Sequence, residues 1–203
     1  MKHFLIIDDF YTLDEQRVIW QELDFYYQQQ LFQADNKSGA RYGKYGTAIH
    51  NGKPLAQLNR IYLEELYSPE HRSKSNILNV YKKIVSKEVV EDYKRVTLAG
   101  KQFEITDNDC SLINYYDNGD KYAEHFDAFM HTAVIWFFKE PKRFEGGNLR
   151  LTELNETIEC VHNRLIMFPS YYLHEVEELK LDEKYRNKGL GRFSITHFYS
   201  SSK

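Results

Sequence analysis

Apolar positions follow two different periods along the 203 residues of the chain, and the change between them falls near residue 96. Phe4-Leu-Ile-Ile7 is a short unbroken apolar run stopped by Asp8-Asp9, the pattern of a buried strand. Thr12 with Glu15 three residues later forms a capping box. It predicts a helix that carries Leu13, Arg17, Trp20, Leu23 and Tyr27 and runs to about Leu31. Asn76 to Tyr93 sets Ile77, Val80, Tyr81, Ile84, Val85, Val89 and Tyr93 on one helical stripe, and Leu58 to Leu66 fits a strand or a short helix equally. Beyond residue 96 the runs are short, β-rich and punctuated by turns: Phe103–Ile105, Cys110–Tyr116, Thr132–Phe138, Asn148–Leu154, Thr157–Cys160, Arg164–Phe168, His174–Val176 and Gly191–Tyr199. Such a series predicts a double-sheet jelly roll preceded by packing helices.

The fold class expected is therefore mostly β with N-terminal helices, a double-stranded β-helix of cupin-like kind. No linker divides the chain, which predicts one domain over 1–203. Its helical and strand-bearing part is 1–95 and its jelly-roll core 96–200. A single core is sufficient at this length. Residues 33–53 hold four glycines, at 39, 43, 46 and 52, and read as a long loop, either a surface excursion or a lid over a cavity.

Charge changes the picture little. A net charge of −3 and a pI near 6.2 give no reason to expect a nucleic-acid or membrane partner. Cys110 and Cys160 form no CxxC pair and read as reduced thiols. The apolar run at the N-terminus is too short for a signal peptide or a membrane span, so a soluble cytoplasmic protein is expected. Oligomeric state is not legible.

Candidate chemistry centres on Gly119-Asp-Lys-Tyr122-Ala-Glu-His125-Phe-Asp127. On an extended strand residues two apart point the same way, so His125 and Asp127 converge. They supply two members of a 2-His-1-carboxylate triad, the set that leaves positions open on non-haem Fe(II). In a chain with eight histidines one such pair arises easily by chance, so further partners are needed. His174 is the third candidate, opening a strand after the buried run Arg164–Phe168. In Gly191-Arg192-Phe-Ser194-Ile-Thr196-His-Phe198, alternation puts Arg192, Ser194 and Thr196 on one face. An inward arginine needs an anion. A guanidinium grips a carboxylate with two bonds, and Thr196 can add a hydroxyl to the same group.

These stretches together resemble the Fe(II)- and 2-oxoglutarate-dependent dioxygenases, in particular the prolyl 4-hydroxylase branch with the collagen and hypoxia-sensing enzymes. The matching residues are Tyr115, Gly119-x-x-Tyr122-x-x-His125-x-Asp127, Phe144-Glu-Gly-Gly-Asn-Leu149-Arg-Leu151, Asn163-Arg-Leu-Ile-Met-Phe168-Pro-Ser, His174-x-Val176 and Arg192-Phe-Ser-Ile-Thr196. They occur in the family's order. The resemblance implies Fe(II) on His125, Asp127 and His174, and Arg192 with Thr196 on the far carboxylate of 2-oxoglutarate. It puts Tyr115 against cosubstrate or substrate and Tyr122 behind the metal, gives Gly146-Gly147 a structural turn, and allows ascorbate as an accessory reductant.

Two departures stand out. The interval from His174 to Arg192 is longer than usual, which predicts an exposed excursion near the site at residues 177–190, and Phe137 falls where some relatives place a tyrosine. The activity implied is hydroxylation of a C–H bond with O2, most simply on a prolyl residue of a peptide or protein. Hydroxylation of a free amino acid or other small molecule, and a non-catalytic metal-binding jelly roll, are the alternatives. A nucleic-acid demethylase would carry a second arginine where Phe198 stands.

Overall fold

In the computed structural model, residues 3–32, 38–42 and 49–202 are described, with backbone alone for 38–42 and 49–50. Strand Leu5–Ile7 is followed by helix Leu13–Gln28, whose capping box is complete: Glu15 N–H donates to Thr12 Oγ1 and Thr12 N–H to Glu15 Oε2. The helix buries Ile19, Leu23 and Tyr26. The ambiguous stretch resolves into both readings in turn, strand Ala56–Tyr62 and then one helical turn at Leu63–Leu66.

The strands form a curled, mainly antiparallel sheet of two layers. One layer runs Leu5–Ile7, Leu165–Pro169, His131–Phe137, Arg192–Ser200, Asn108–Tyr116. The other runs Lys121–His125, His174–Val176, Leu149–Leu151, Glu156–Ile158. Ala56–Tyr62 joins them: Asn59 to Tyr62 pair with Tyr115 to Leu112, while Ala56 and Gln57 pair with Tyr122 and Lys121. The sheet thus folds over along this strand, and it draws on strands well before residue 96. Ser38–Tyr42 pairs with the same strand in parallel.

Alternation gives the sheet two apolar faces. Phe137, Phe193, Ile195, Leu165 and Met167 pack with the helices, whereas Val134, Trp136, Ile166, Phe168 and Leu149 face the space between the layers. No described helix is long and apolar enough to cross a membrane.

Several expectations are corrected. Asn76–Tyr93 is not one helix but Asn76–Val80, a tight turn at Tyr81–Lys83, and Lys87–Val96. The Ser86 side chain accepts from Val89 N–H and starts the last helix anew. Most of the stripe survives the break, since Ile77, Ile84, Val89 and Tyr93 all enter one core, but Val85 turns out to solvent. Phe103–Ile105 belongs to a 3₁₀ segment, Leu98–Ile105, with Phe103 buried and Ile105 exposed. Asn148–Leu154 is strand only at Leu149–Leu151, and Thr157–Cys160 is strand only to Ile158.

Residues 177–190 are not simply exposed. Leu179–Leu181 pairs with Phe144–Gly146 and buries both leucines. Of the expected lid at 33–53, residues 33–37 and 43–48 lie outside the described residues. Its end is a tight hairpin, Ile49–His50 with Lys53–Pro54, whose turn residues Asn51 and Gly52 both have positive φ.

Two histidines on the helix side set a pH dependence. His131 meets the Tyr93 hydroxyl at 3.1 Å and His197 the Ser111 hydroxyl at 2.8 Å. Burial pushes their imidazoles down from 6.5 to about 4 and about 3, with Arg72 adding to the effect on His197. The unfolded chain binds these protons near 6.5 and the folded chain does not. Stability is therefore full above that pH and falls as pH drops toward 4. Between pH 7 and 5 each histidine is expected to cost roughly 2 kcal/mol. Urea unfolding at both pH values checks this, and His131→Leu or His197→Leu should flatten the difference.

Candidate metal centre and cavity

His125 closes strand Lys121–His125 and His174 opens strand His174–Val176, and the two are register partners. Asp127 lies beyond the strand end, so its approach to His125 is not made by strand alternation alone. A backbone bond from Asp127 N–H to Ser170 O, 3.0 Å, brings it back. The side chains converge: His125 Nε2 is 3.7 Å from Asp127 Oδ1 and His174 Nε2 is 3.5 Å from Asp127 Oδ2. One ligand atom from each of the three lies within 4.8 Å of the others.

The surroundings suit a divalent metal. His125 Nδ1 meets Ala123 O at 2.7 Å and His174 Nδ1 meets Tyr172 O at 2.8 Å. A carbonyl only accepts, so each Nδ1 carries the proton and each Nε2 presents its lone pair to the centre. Tyr122 stacks on His125 with ring centroids 3.7 Å apart, and Phe168 meets the His174 ring edge-on at 5.1 Å. Burial, then the neighbouring His174, push the His125 imidazole down to about 3, so it is a neutral ligand at ordinary pH.

Thr132 Oγ1 donates to Asp127 Oδ2 at 2.8 Å and so fixes the carboxylate plane. Thr132→Val is expected to weaken metal affinity about 10–100-fold, the usual effect of losing a supporting bond, while the fold stays intact. Titration of metal into the apo-protein checks it.

The cluster sits in a cavity of about 900 Å³ between the layers. Arg192, Ser194 and Thr196 line it, as alternation predicts, and Phe193, Ile195 and His197 face away. Arg192 is 1% exposed. Its Nη1 donates to Gly147 O and its guanidinium carbon lies 4.0 Å from the centre of the Tyr116 ring, while Nε has no partner. Gly146 and Gly147 both have positive φ, at 70° and 68°, and this left-handed backbone offers that carbonyl to Arg192. The other polar neighbour, the Cys160 thiol, is kept neutral by burial. No carboxylate among the described residues pairs with Arg192. A buried guanidinium with an orphaned donor fits a cosubstrate carboxylate.

Tyr115 is elsewhere. It lies on the helix side among Tyr27, Phe32 and Phe193, and its hydroxyl bonds Asp117 Oδ2 at 3.4 Å and Gly191 N–H at 3.2 Å. The structure therefore removes it from the cavity, where Tyr116 stands instead. Phe137 is likewise outside, and Trp136 lines the wall. Residues 177–190 contribute nothing to the lining. The sequence reading missed Arg60 and Asn114, which do line it. Alternation through Leu58, Arg60 and Tyr62 carries the signal once that stretch is taken as a strand.

The comparisons agree with this geometry. Residues 110–200 match the model of the 2OG-Fe(II) oxygenase superfamily. An uncharacterized PKHD-type hydroxylase of Synechocystis sp. is 36% identical over a stretch covering 36% of this chain and 30% of that protein, so the match spans under a third of the relative. In fold, the chain is similar to a Trichoplax adhaerens prolyl hydroxylase in complex with a hypoxia inducible factor oxygen degradation domain peptide fragment. That similarity has a TM-score of 0.64 at 14% identity and covers 99% of this chain and 84% of the other. A Pseudomonas putida prolyl-4-hydroxylase gives 0.60 at 14% identity, covering 100% and 95%. The chain thus resembles the 2OG-Fe(II) oxygenase superfamily in sequence over residues 110–200, and prolyl hydroxylases in fold over its length. That superfamily implies Fe(II) and 2-oxoglutarate.

Proposed function

We propose that the chain is an Fe(II)- and 2-oxoglutarate-dependent dioxygenase that hydroxylates a prolyl residue of a peptide or protein. The observation that carries the reading is one cavity holding both the His125, Asp127, His174 cluster and a buried Arg192 that has no anionic partner among the described residues. Bound Fe(II) with 2-oxoglutarate supplies the oxidising power: O2 and 2-oxoglutarate become succinate and CO2, and one oxygen atom goes to the substrate.

The chain's own residues hold and shield that chemistry. His125 Nε2, His174 Nε2 and Asp127 present the metal ligands. Arg192 grips the far carboxylate of 2-oxoglutarate, with the Thr196 hydroxyl on the same face. Leu112, Val134, Trp136 and Phe168 keep water out. Phe126, 63% exposed beside His125, offers an aromatic surface to a pyrrolidine ring at the mouth.

The prolyl assignment draws on the resemblance and on neighbours that are themselves prolyl hydroxylases. Iron-loaded protein incubated with proline-rich peptides, 2-oxoglutarate and ascorbate should release succinate and add one oxygen to proline. Oxidation of free amino acids alone would remove the prolyl part. No succinate with any substrate would leave a non-catalytic metal-binding module.

A further inference from the structure

Arg60 is a second buried guanidinium in the same cavity, and the proposed chemistry does not use it. It is 5% exposed. Arg60 is in register with Asn114, and Asn114 with Ser194, so three adjacent strands set these side chains in one row facing the cavity. Asn114 Oδ1 accepts from Arg60 Nε at 2.7 Å. The guanidinium carbon lies 5.3 Å from the centre of the Tyr122 ring, whose other neighbour is the stacked His125. A fixed positive charge therefore stands next to the metal-ligand cluster.

The titratable groups that bear on it most are phenols, those of Tyr122, Tyr62 and Tyr116, rather than carboxylates. Among the described residues no aspartate or glutamate pairs with it. Nor does the bound chemistry neutralise it: a divalent metal, the Asp127 carboxylate, both carboxylates of 2-oxoglutarate and Arg192 cancel among themselves. Arg60 is left over. An uncompensated charge in an apolar cavity is costly, and the remaining occupant is the substrate.

We infer that Arg60, oriented by Asn114, receives a carboxylate of the substrate. The substrate is then an anion whose carboxylate lies a few bonds from the oxidised carbon. The inference rests on the proposed function and narrows it to a prolyl residue at a chain's C-terminus or one beside an acidic side chain. A guanidinium fork and a carboxylate match geometrically, and neither an amide nor an ester offers the same charge.

The test is binding rather than turnover. Anaerobic protein loaded with Fe(II) and 2-oxoglutarate is titrated calorimetrically with N-acetylproline against N-acetylprolinamide, and with acetyl-Pro-Asp-amide against acetyl-Pro-Asn-amide. N-acetylalanine and its amide complete the set. The acid should bind at least about tenfold tighter than its neutral analogue in one of the prolyl pairs. The pair that shows the preference assigns the carboxylate to the chain end or to the side chain. In Arg60→Gln the preference should fall to within about twofold while 2-oxoglutarate affinity changes less than about threefold.

Equal binding of acids and amides by the unaltered protein overturns the inference, and this result needs no variant to fold. So does a preference that survives Arg60→Gln, or a loss of 2-oxoglutarate affinity in that variant, which would make Arg60 a cosubstrate residue. An acid preference shown by N-acetylalanine, with no prolyl compound oxidised, removes the prolyl reading and keeps the carboxylate site. Prolyl oxidation without any acid preference does the reverse.

Discussion

Asp127→Ala is expected to abolish metal binding and all 2-oxoglutarate turnover while leaving a folded protein, and His125→Ala and His174→Ala are expected to do the same. A three-ligand site that keeps positions open for cosubstrate and O2 has no spare ligand. Losing the supporting bond from Thr132 should already cost about 10–100-fold in affinity, and losing a ligand must cost more. The fold should tolerate the change. Thr132 keeps its 2.8 Å bond to the Ser170 hydroxyl after Asp127 is gone. Each histidine side chain makes its one hydrogen bond to a carbonyl two residues before it. Metal content after anaerobic loading, read with the melting temperature of the apo-proteins, decides the matter. A His174→Ala protein that bound iron normally would show that the cluster is not the metal centre.

How much of this was legible depended on whether a residue's surroundings are set by the chain nearby. The capping box at Thr12 and the alternation of Arg192, Ser194 and Thr196 are local patterns, and both hold. The stripe from Ile77 to Tyr93 is also real, but a stripe reports burial and not continuity. Ser86 restarts the helix and leaves Val85 exposed, while Ile77, Ile84, Val89 and Tyr93 still face the core.

Tyr115 shows the opposite limit. Its face is decided by pairing with the last strand, where Phe193 stands opposite Tyr115 and Arg192 opposite Tyr116. That register is fixed across a separation of more than seventy residues, and no local pattern announces it. Asp127 reached its place by a bond to Ser170 rather than by strand geometry. Strand alternation therefore accounts for the place of this carboxylate only in part. Arg60 was invisible because its stretch fits strand and helix alike. Only as a strand does alternation aim it inward beside Asn114.

Arg192→Ala is expected to raise the 2-oxoglutarate concentration needed for turnover by a large factor and to leave metal binding nearly unchanged. The guanidinium is buried, its Nε is orphaned, and its neighbours are the Gly147 carbonyl, the neutral Cys160 thiol and the rings of Tyr116 and Trp136. A carboxylate meeting it forms charge-assisted bonds where water does not compete. Truncating one partner of such a pair costs about 2–5 kcal/mol, or roughly 30- to several-thousand-fold in affinity. Arg192→Lys should recover part of this, since an ammonium restores the charge but not the two parallel bonds. Thr196→Val should cost less, about 1 kcal/mol, because a neutral hydroxyl contributes one ordinary bond.

Calorimetric titration of 2-oxoglutarate into metal-loaded protein separates the three variants, and metal titration alone supplies the control. The ordering matters more than any single value. A loss graded alanine, lysine, valine, with unchanged metal affinity, places the far carboxylate on Arg192. Equal 2-oxoglutarate affinity in Arg192→Ala and the unaltered protein would move the anchor to the other buried guanidinium, Arg60. The cosubstrate and the substrate would then have exchanged ends of the cavity.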